Sequence, residues 1–360
     1  MGTESPLRHP KIGRGAISNP GNRFEKLHYE PKPGMDVDQP DETPSVRTIF
    51  FRDASKSIIS RNDSPDVGFN ASVNPYRGCE HGCIYCYARP THEYLGFSAG
   101  IDFESRIMVK TGAPQLLREE LARATWKPQV LAMSGVTDCY QPAERTFKLT
   151  RACLEVLAEF RNPTVIVTKN HLVTRDIDVL AQLAKHDAAA VFVSVTTMDS
   201  ELARKLEPRT SLPEHRLDAI RKLAAAKIPV GVLVAPVIPV LTESEMPAIL
   251  SAAREAGASF AGFGVLRLPF GVKDLFSEWL GAHFPGSADA VLNRIREIRG
   301  GRLNDSDFGN RMRGQGIYAE QIKQVFSVCS RRLGFSKGPR LSTEHFVRPP
   351  DPQLLLFGDR

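Results

Sequence analysis

Asn74-Pro75-Tyr76-Arg77-Gly78-Cys79-Glu80-His81-Gly82-Cys83-Ile84-Tyr85-Cys86-Tyr87 is the stretch on which the reading of this chain turns. It sets three cysteines at Cys-x3-Cys-x2-Cys spacing just after an apolar run, residues 69–76, that reads as a buried strand. Three thiolates in one loop can each hold one iron of a cubane cluster, leaving the fourth iron open to an outside ligand. Gly78 and Gly82 carry no side chain to obstruct the approach of backbone to so bulky a group. The alternative is a zinc site in which His81 or His92 completes a closed shell. Zinc sites more often pair two separated two-ligand knuckles, and no second cysteine pair follows here.

The bulk properties limit the setting. With 360 residues, 42% hydrophobic and 24% charged, the chain can bury a large core. Its net charge of +6 makes an anionic partner such as DNA or RNA plausible without identifying it. Arg8, Lys11 and Arg14 are followed by no apolar core, so no signal peptide is read and a cytoplasmic location is expected. The longest apolar stretch, 228–241, is broken by Pro229, Pro236 and Pro239 and is shorter than the roughly 20 residues that span a bilayer, so no membrane association is expected. Three cysteines within eight positions of a reducing compartment read as metal binding, whereas Cys153 and Cys329 are isolated and read as structural.

Residues 1–65 are rich in Pro, Gly, Asn, Asp and Arg and read as an extended or partly disordered arm. A core over 66–269 alternates short apolar runs with amphipathic stretches, which is the pattern of an α/β fold with a parallel sheet. Six core strands are expected at 69–76, 130–135, 164–168, 190–196, 230–235 and 260–266, with a short extra one at 106–110. Between them, Ser211 with Glu214 and Thr242 with Glu245 have capping-box spacing, and Gly257 stands where a helix would end. Leu217, Ile220, Leu223 and Ala224 share one helical face, and Ile177, Leu180, Leu183 and Ala184 another. Six such units imply a partial (β/α)6 barrel of the TIM type. Beyond it, 270–360 reads as a helical carboxy-terminal appendage, in which 291–340 carries eleven basic residues against four acidic ones.

The cysteine loop, with Tyr85 just before its last cysteine, resembles the motif of the radical S-adenosylmethionine (SAM) superfamily. The likeness runs from about Asn74 to Leu268 and is nearest the spore-photoproduct-lyase-like, DNA-repair-photolyase group. There Asn-Pro-Tyr-x-Gly-Cys is typical, as are Thr137-Asp138-Cys139-Tyr140-Gln141-Pro142-Ala143-Glu144, Thr168-Lys169, Ser194-Val195-Thr196-Thr197, Leu206-Glu207-Pro208-Arg209 and Arg267-Leu268-Pro269. The resemblance implies a 4Fe-4S cluster on Cys79, Cys83 and Cys86 with SAM on the open iron. It implies the SAM amino group beside Thr137 and Asp138, its ribose and carboxylate near Lys169 and Ser194, and adenine by Tyr85, Ala235 and Leu266. It also implies a reducing electron donor such as flavodoxin or ferredoxin.

The residues themselves agree in position. Active sites of parallel barrels lie at the carboxy-terminal strand ends. Thr137 and Asp138 follow the second strand, Lys169 the third, Ser194 and Thr196 end the fourth, and Arg267 follows the sixth. Arg209 offers a guanidinium fork to the SAM carboxylate, or else pairs with Glu207 on the surface. Asp138 either meets the ligand or caps a helix near Pro142. Lys169 at a buried strand end needs a partner, which favours a ligand role. Spore photoproduct lyases return a hydrogen from a cysteine beside the second strand. Here Gly135 occupies that place and Cys139 lies beyond Thr137 and Asp138, so Cys139 is either that donor or a small buried residue.

The expected chemistry is reductive cleavage of SAM to a 5'-deoxyadenosyl radical that abstracts a hydrogen atom, with the barrel interior excluding water. Three readings stay open at this stage. The substrate is nucleic acid in a lyase or repair type of reaction; or it is a protein or small molecule; or the loop is the zinc site of a non-catalytic module.

Overall fold

Apolar runs such as 189–193 on one strand and 230–234 on the next are buried or half-buried at every position, so both faces are covered, which is what a parallel sheet flanked by crossover helices requires. The computed structural model describes residues 11, 13–25 and 46–349. In chain order its strands are β1 (Ile49–Arg52), β2 (Ile59–Arg61), β3 (Ala71–Val73), β4 (Tyr76–Arg77), β5 (Arg106–Val109), β6 (Leu131–Met133), β7 (Thr164–Thr168), β8 (Ala189–Ser194), β9 (Val230–Val237) and β10 (Phe260–Val265). β10, β9, β8, β7, β6 and β3 lie side by side and parallel, and β2 adds an antiparallel edge beyond β3. β1, β5 and β4 form a separate small sheet next to the cysteine loop.

Helices Ala113–Ala122, Leu149–Phe160, Ile177–Ala184, Pro213–Ala225 and Met246–Glu255 make the crossovers. Leu180, Leu183, Ile220 and Leu223 on the expected faces are buried in the core they share with the sheet. All six expected core strands and the extra strand are present, so the α/β, partial-barrel reading describes the fold. Because the strands are parallel, their carboxy-terminal ends open on one side and set Asn74, Gly135, Lys169, Thr196 and Arg267 around a common mouth.

Both capping boxes differ from expectation. The helix after Ser211 has Leu212 as its cap with no side-chain bond, and the Ser211 hydroxyl accepts instead from the His171 amide at 2.8 Å. The Glu245 carboxylate takes the Thr197 hydroxyl and the Met198 amide, both at 2.6 Å. In each case a tertiary partner displaces the local one. Gly257 does follow a helix end, at φ +105°, where a Cβ would lie 2.7 Å from that of Ala224.

Of the segment read as an arm, residues 1–10, 12 and 26–45 lie outside the described residues. Arg14, Gly15, Ala16 and Ile17 are buried, and β1 and β2 pair with β5 and β3. At the other end, helix Val272–His283 sends Phe276 and Trp279 into a core shared with Cys83, Ile84 and Tyr85, so the carboxy-terminal region packs directly behind the cysteine loop. Among the described residues no helix is long and apolar enough to cross a membrane.

The β9–β10 contact gives a test of this packing. A Cβ on Gly231 would sit 2.0 Å from Phe260 Cδ2, whereas one on Gly262 would come only to 3.2 Å from Leu233 Cδ1. Gly231→Ala is expected to lower the unfolding free energy by about 1–3 kcal/mol and Gly262→Ala by less, measured by urea denaturation of the apoprotein. Equal midpoints for the two variants would contradict this sheet register.

Candidate active site

The cysteine loop leaves β3 through Asn74, whose side-chain oxygen accepts from the Val136 amide at 2.9 Å and so ties the first strand end to the second. Gly78 and Gly82 adopt φ +78° and +68°, and a Cβ on Gly82 would meet Glu104 Oε2 at 2.7 Å. The loop cannot fold this way with larger residues there. Its carbonyls are gathered by Arg89, which has no exposed surface. Arg89 donates from Nε to Cys83 O (3.0 Å), from one terminal nitrogen to Ala99 O (3.1 Å) and Gly100 O (3.0 Å), and from the other to Gly82 O (3.2 Å) and the Glu104 carboxylate. All five guanidinium donors are thereby used.

Cys79 and Cys83 are buried, Cys86 is half-buried, and all three thiols are free. Burial and then the Asp138 charge push the Cys79 thiol well up, burial and then Glu207 do the same at Cys83, and burial raises Cys86. Such thiols become thiolates when a metal centre supplies compensating charge, so the donor set suits an iron–sulfur cluster. His81 does not suit a zinc shell. The Asn170 oxygen accepts from Leu172 N (3.0 Å) and Ser211 Oγ (3.3 Å), so its amide nitrogen faces His81 Nε2 at 3.0 Å while His81 Nδ1 lies 3.3 Å from Asp138. Both ring nitrogens are engaged. His92 is enclosed between Phe97 and Phe103, and burial lowers its pKa to about 4.

A second cluster of side chains gathers where β7, β8 and β9 end. Lys169 Nζ donates to Ser194 Oγ (2.6 Å) and the Ala235 carbonyl (3.1 Å), which also accepts from Ser194 Oγ at 3.0 Å. Thr196 Oγ1 donates to Glu207 at 2.7 Å, and the Tyr85 hydroxyl donates to the same carboxylate oxygen. Glu207 therefore joins the cysteine loop to the strand ends. Burial raises its pKa, but Arg216, Lys169, Tyr85 and Thr196 together outweigh that and bring it down to about 2. Arg216 pairs directly with Glu207, whereas Lys169 stands 3.9 Å from it. The carboxylate is neutralised by the arginine and the lysine keeps surplus positive charge.

The other expected site residues fall as follows. The Thr137 hydroxyl donates to Tyr76 O at 3.0 Å and so steadies the loop. Asp138 accepts from Tyr140 N (2.8 Å), Lys169 N (2.8 Å) and Thr168 Oγ1 (2.9 and 3.0 Å), with His81 nearby. Burial opposes its ionisation, but these partners hold its pKa below the usual value. Asp138 thus fixes Lys169, and it does not cap helix Glu144–Phe147, whose cap is Ala143. Arg209 pairs with Glu80 at 3.0 Å and not with Glu207, which lies inside behind Arg216. Leu266 is buried with Tyr85, while Ala235 contributes its carbonyl.

Of the two readings of Cys139, hydrogen donor or small buried residue, its surroundings suit the second. Its side chain is fully buried in the core with Tyr140 and Cys153, its amide donates to Ser134 Oγ at 2.8 Å and its carbonyl takes the Thr150 hydroxyl at 2.7 Å. At Gly135 a Cβ would lie 2.7 Å from Ser72 Cβ.

The radical SAM superfamily model matches residues 73–253, beginning at the last residue of β3 and spanning the cysteine loop and the strand ends just described. The chain belongs to the radical SAM superfamily. As a radical SAM enzyme it uses a 4Fe-4S cluster and SAM. It is 38% identical to an uncharacterised protein of Mycobacterium tuberculosis over 319 residues, covering 87% of this chain and 88% of that one. It is 28% identical to an uncharacterised protein of Methanocaldococcus jannaschii over 233 residues, or 65% and 83% of the two chains. Its fold resembles that of spore photoproduct lyase complexed with dinucleoside spore photoproduct, with a TM-score of 0.57 at 15% identity over 79% of this chain and 80% of the other.

Four residues of this radical SAM enzyme's site escape sequence reasoning: Glu207, Arg216, Arg89 and Glu104. Each is a charged residue in a polar stretch, and only the fold shows that it is buried. The available signal was Glu207 inside the motif Leu206-Glu207-Pro208-Arg209. Glu207→Ala leaves Arg216 buried without its partner and is expected to cost about 3–5 kcal/mol of stability at pH 7. Because the folded pKa is depressed, the wild-type advantage is full above about 4.5 and fades as pH falls toward about 2. Urea unfolding of both proteins across that range checks it; a deficit constant with pH would contradict the ionised pair.

Proposed function

We propose that Cys79, Cys83 and Cys86 hold the cluster, that Lys169, Ser194 and Thr196 with the Ala235 carbonyl bind SAM, and that the enzyme acts on nucleic acid. The observation that carries the SAM reading is the surplus charge at Lys169, whose nearest acid already belongs to Arg216. An ammonium held at a strand end beside two hydroxyls suits a bound carboxylate and ribose. Cluster and SAM together supply a 5'-deoxyadenosyl radical that takes a hydrogen atom from the substrate.

The chain's own residues do the rest. Asp138 holds the Lys169 backbone, Thr137 holds the cysteine loop, and Tyr85 with Glu207 keeps the two halves of the site in register. Leu266 and the rings behind it exclude water. Arg209, spent on Glu80, supports the loop from outside. A flavodoxin- or ferredoxin-type protein supplies the electron.

Three features support a nucleic acid substrate. The excess of basic residues over 291–340 provides an attractive field. At the mouth, Tyr87 is 49% exposed and the Arg267 guanidinium lies over its ring at 5.7 Å, with a buried Nε that has no partner among the described residues; a cation beside an exposed aromatic ring suits a phosphate and a base. The fold likeness to a lyase complexed with a dinucleoside lesion points the same way. Gly135 at the place of the lyase thiol and the burial of Cys139 in the core support a reaction that does not use a thiol beside the second strand.

Anaerobic reconstitution followed by reduction with SAM is expected to yield 5'-deoxyadenosine; none from a chain with full iron and sulfide would overturn the function. Lys169→Met should weaken SAM binding by about tenfold or more, roughly 1.4 kcal/mol per factor of ten, at unchanged iron content. Unchanged affinity would remove Lys169 from the site. In gel shifts, single-stranded DNA or RNA should bind with steep salt dependence. No binding while SAM cleavage persists would instead favour a protein or small-molecule substrate.

A further inference from the structure

The segment Arg14–Ala16 lies more than sixty positions before the first cysteine, yet it is buried against the middle of the cysteine loop. Gly15 presses on the backbone there: a Cβ would fall 1.8 Å from Gly82 O and 3.2 Å from Ile84 N. Its amide donates to Glu104 Oε2 at 3.0 Å, and that of Ala16 donates to Glu104 Oε1 at 2.8 Å. This is the carboxylate that also receives Arg89, the arginine gathering Gly82 O and Cys83 O. Arg14 is 6% exposed and donates to Glu104 O (2.5 Å), Val46 O (2.6 Å) and Thr48 Oγ1 (3.0 Å). Thr48 in turn donates to Glu80 Oε1 at 2.7 Å, the side chain next to Cys79.

We infer that Arg14–Ala16 is a strap that positions the cysteine loop for its cluster, acting through Glu104, Arg89 and Thr48 on the backbone between Cys79 and Cys86. The inference rests on the reading of those cysteines as ligands. Its physical basis is that the strap contributes no ligand and little apolar area, while the Gly15 and Ala16 amides and one Arg14 nitrogen end on Glu104, and the other Arg14 nitrogen reaches Val46 O and, through Thr48, the Glu80 side chain. Loss of the strap therefore loosens the thiolates' frame before it loosens the barrel. Partners of this kind, one step removed from the ligands, change metal retention.

The test compares Gly15→Ala and Arg14→Met in the full chain with wild type and with Gly112→Ala, a glycine whose added Cβ has nothing within 4 Å. Iron and sulfide per chain, the rate at which a chelator bleaches the reconstituted cluster and the melting of the apoprotein are measured for each. Both strap variants are expected to bleach about tenfold faster, well beyond what any fall in apoprotein melting accounts for, with Gly112→Ala like wild type. Wild-type bleaching rates in both would overturn the strap. So would a fall in apoprotein melting that accounts for the faster bleaching, since the segment would then serve folding alone. A wild-type chain that takes up no iron fails differently: it overturns the ligand reading, and the strap with it, with no cluster in any of the four proteins.

Discussion

Beneath the cysteine loop a guanidinium without exposed surface meets a carboxylate without exposed surface, and the loop is organised around that contact. Arg89 and Glu104 are both removed from water, so each would be costly alone, by several kcal/mol. Their remaining hydrogen-bonding capacity must be met, and backbone meets it: four carbonyls for Arg89, two amides for Glu104. Satisfying a buried pair thus fixes the path of the chain at Gly82, Cys83, Ala99 and Gly100. The positions of the three thiols follow from that path and from two glycines able to adopt it.

The same economy of charge runs across the barrel mouth. Glu207 is ionised although buried because Arg216 accompanies it, and this leaves Lys169 as a cation oriented by Ser194 and the Ala235 carbonyl. Through Tyr85 the carboxylate reaches back into the cysteine loop. Two pairs of buried ions therefore divide the work, one shaping the loop and the other linking it to the strand ends. The apolar side of the loop is closed by Phe276, Trp279 and Leu280 from the helix after β10.

Much of this was legible in the sequence. Apolar runs located the parallel strands because strands covered on both faces tolerate little else, and the cysteine spacing located the loop. Lys169, Ser194 and Thr196 were singled out by asking which polar residues stand at carboxy-terminal strand ends, and the fold brings them together. Arg89, Glu104, Glu207 and Arg216 were not, because a charged residue in a polar stretch reads as exposed until the fold buries it. Arg14 and Gly15 were hidden for a related reason: a short polar segment has no periodicity, and what it contributes is backbone contact. Cys139 shows the converse, since a chemically capable side chain beside the right strand turns into the core with Tyr140 and Cys153.

The central claim is that this loop holds a four-iron cluster with one iron left for SAM. Mössbauer spectroscopy of the reconstituted, iron-57-enriched protein with and without SAM tests it most directly. The account predicts four irons per chain, one of which acquires a distinct isomer shift when SAM is added. A spectrum unmoved by SAM, or a chain that retains zinc and takes up no iron, would contradict it.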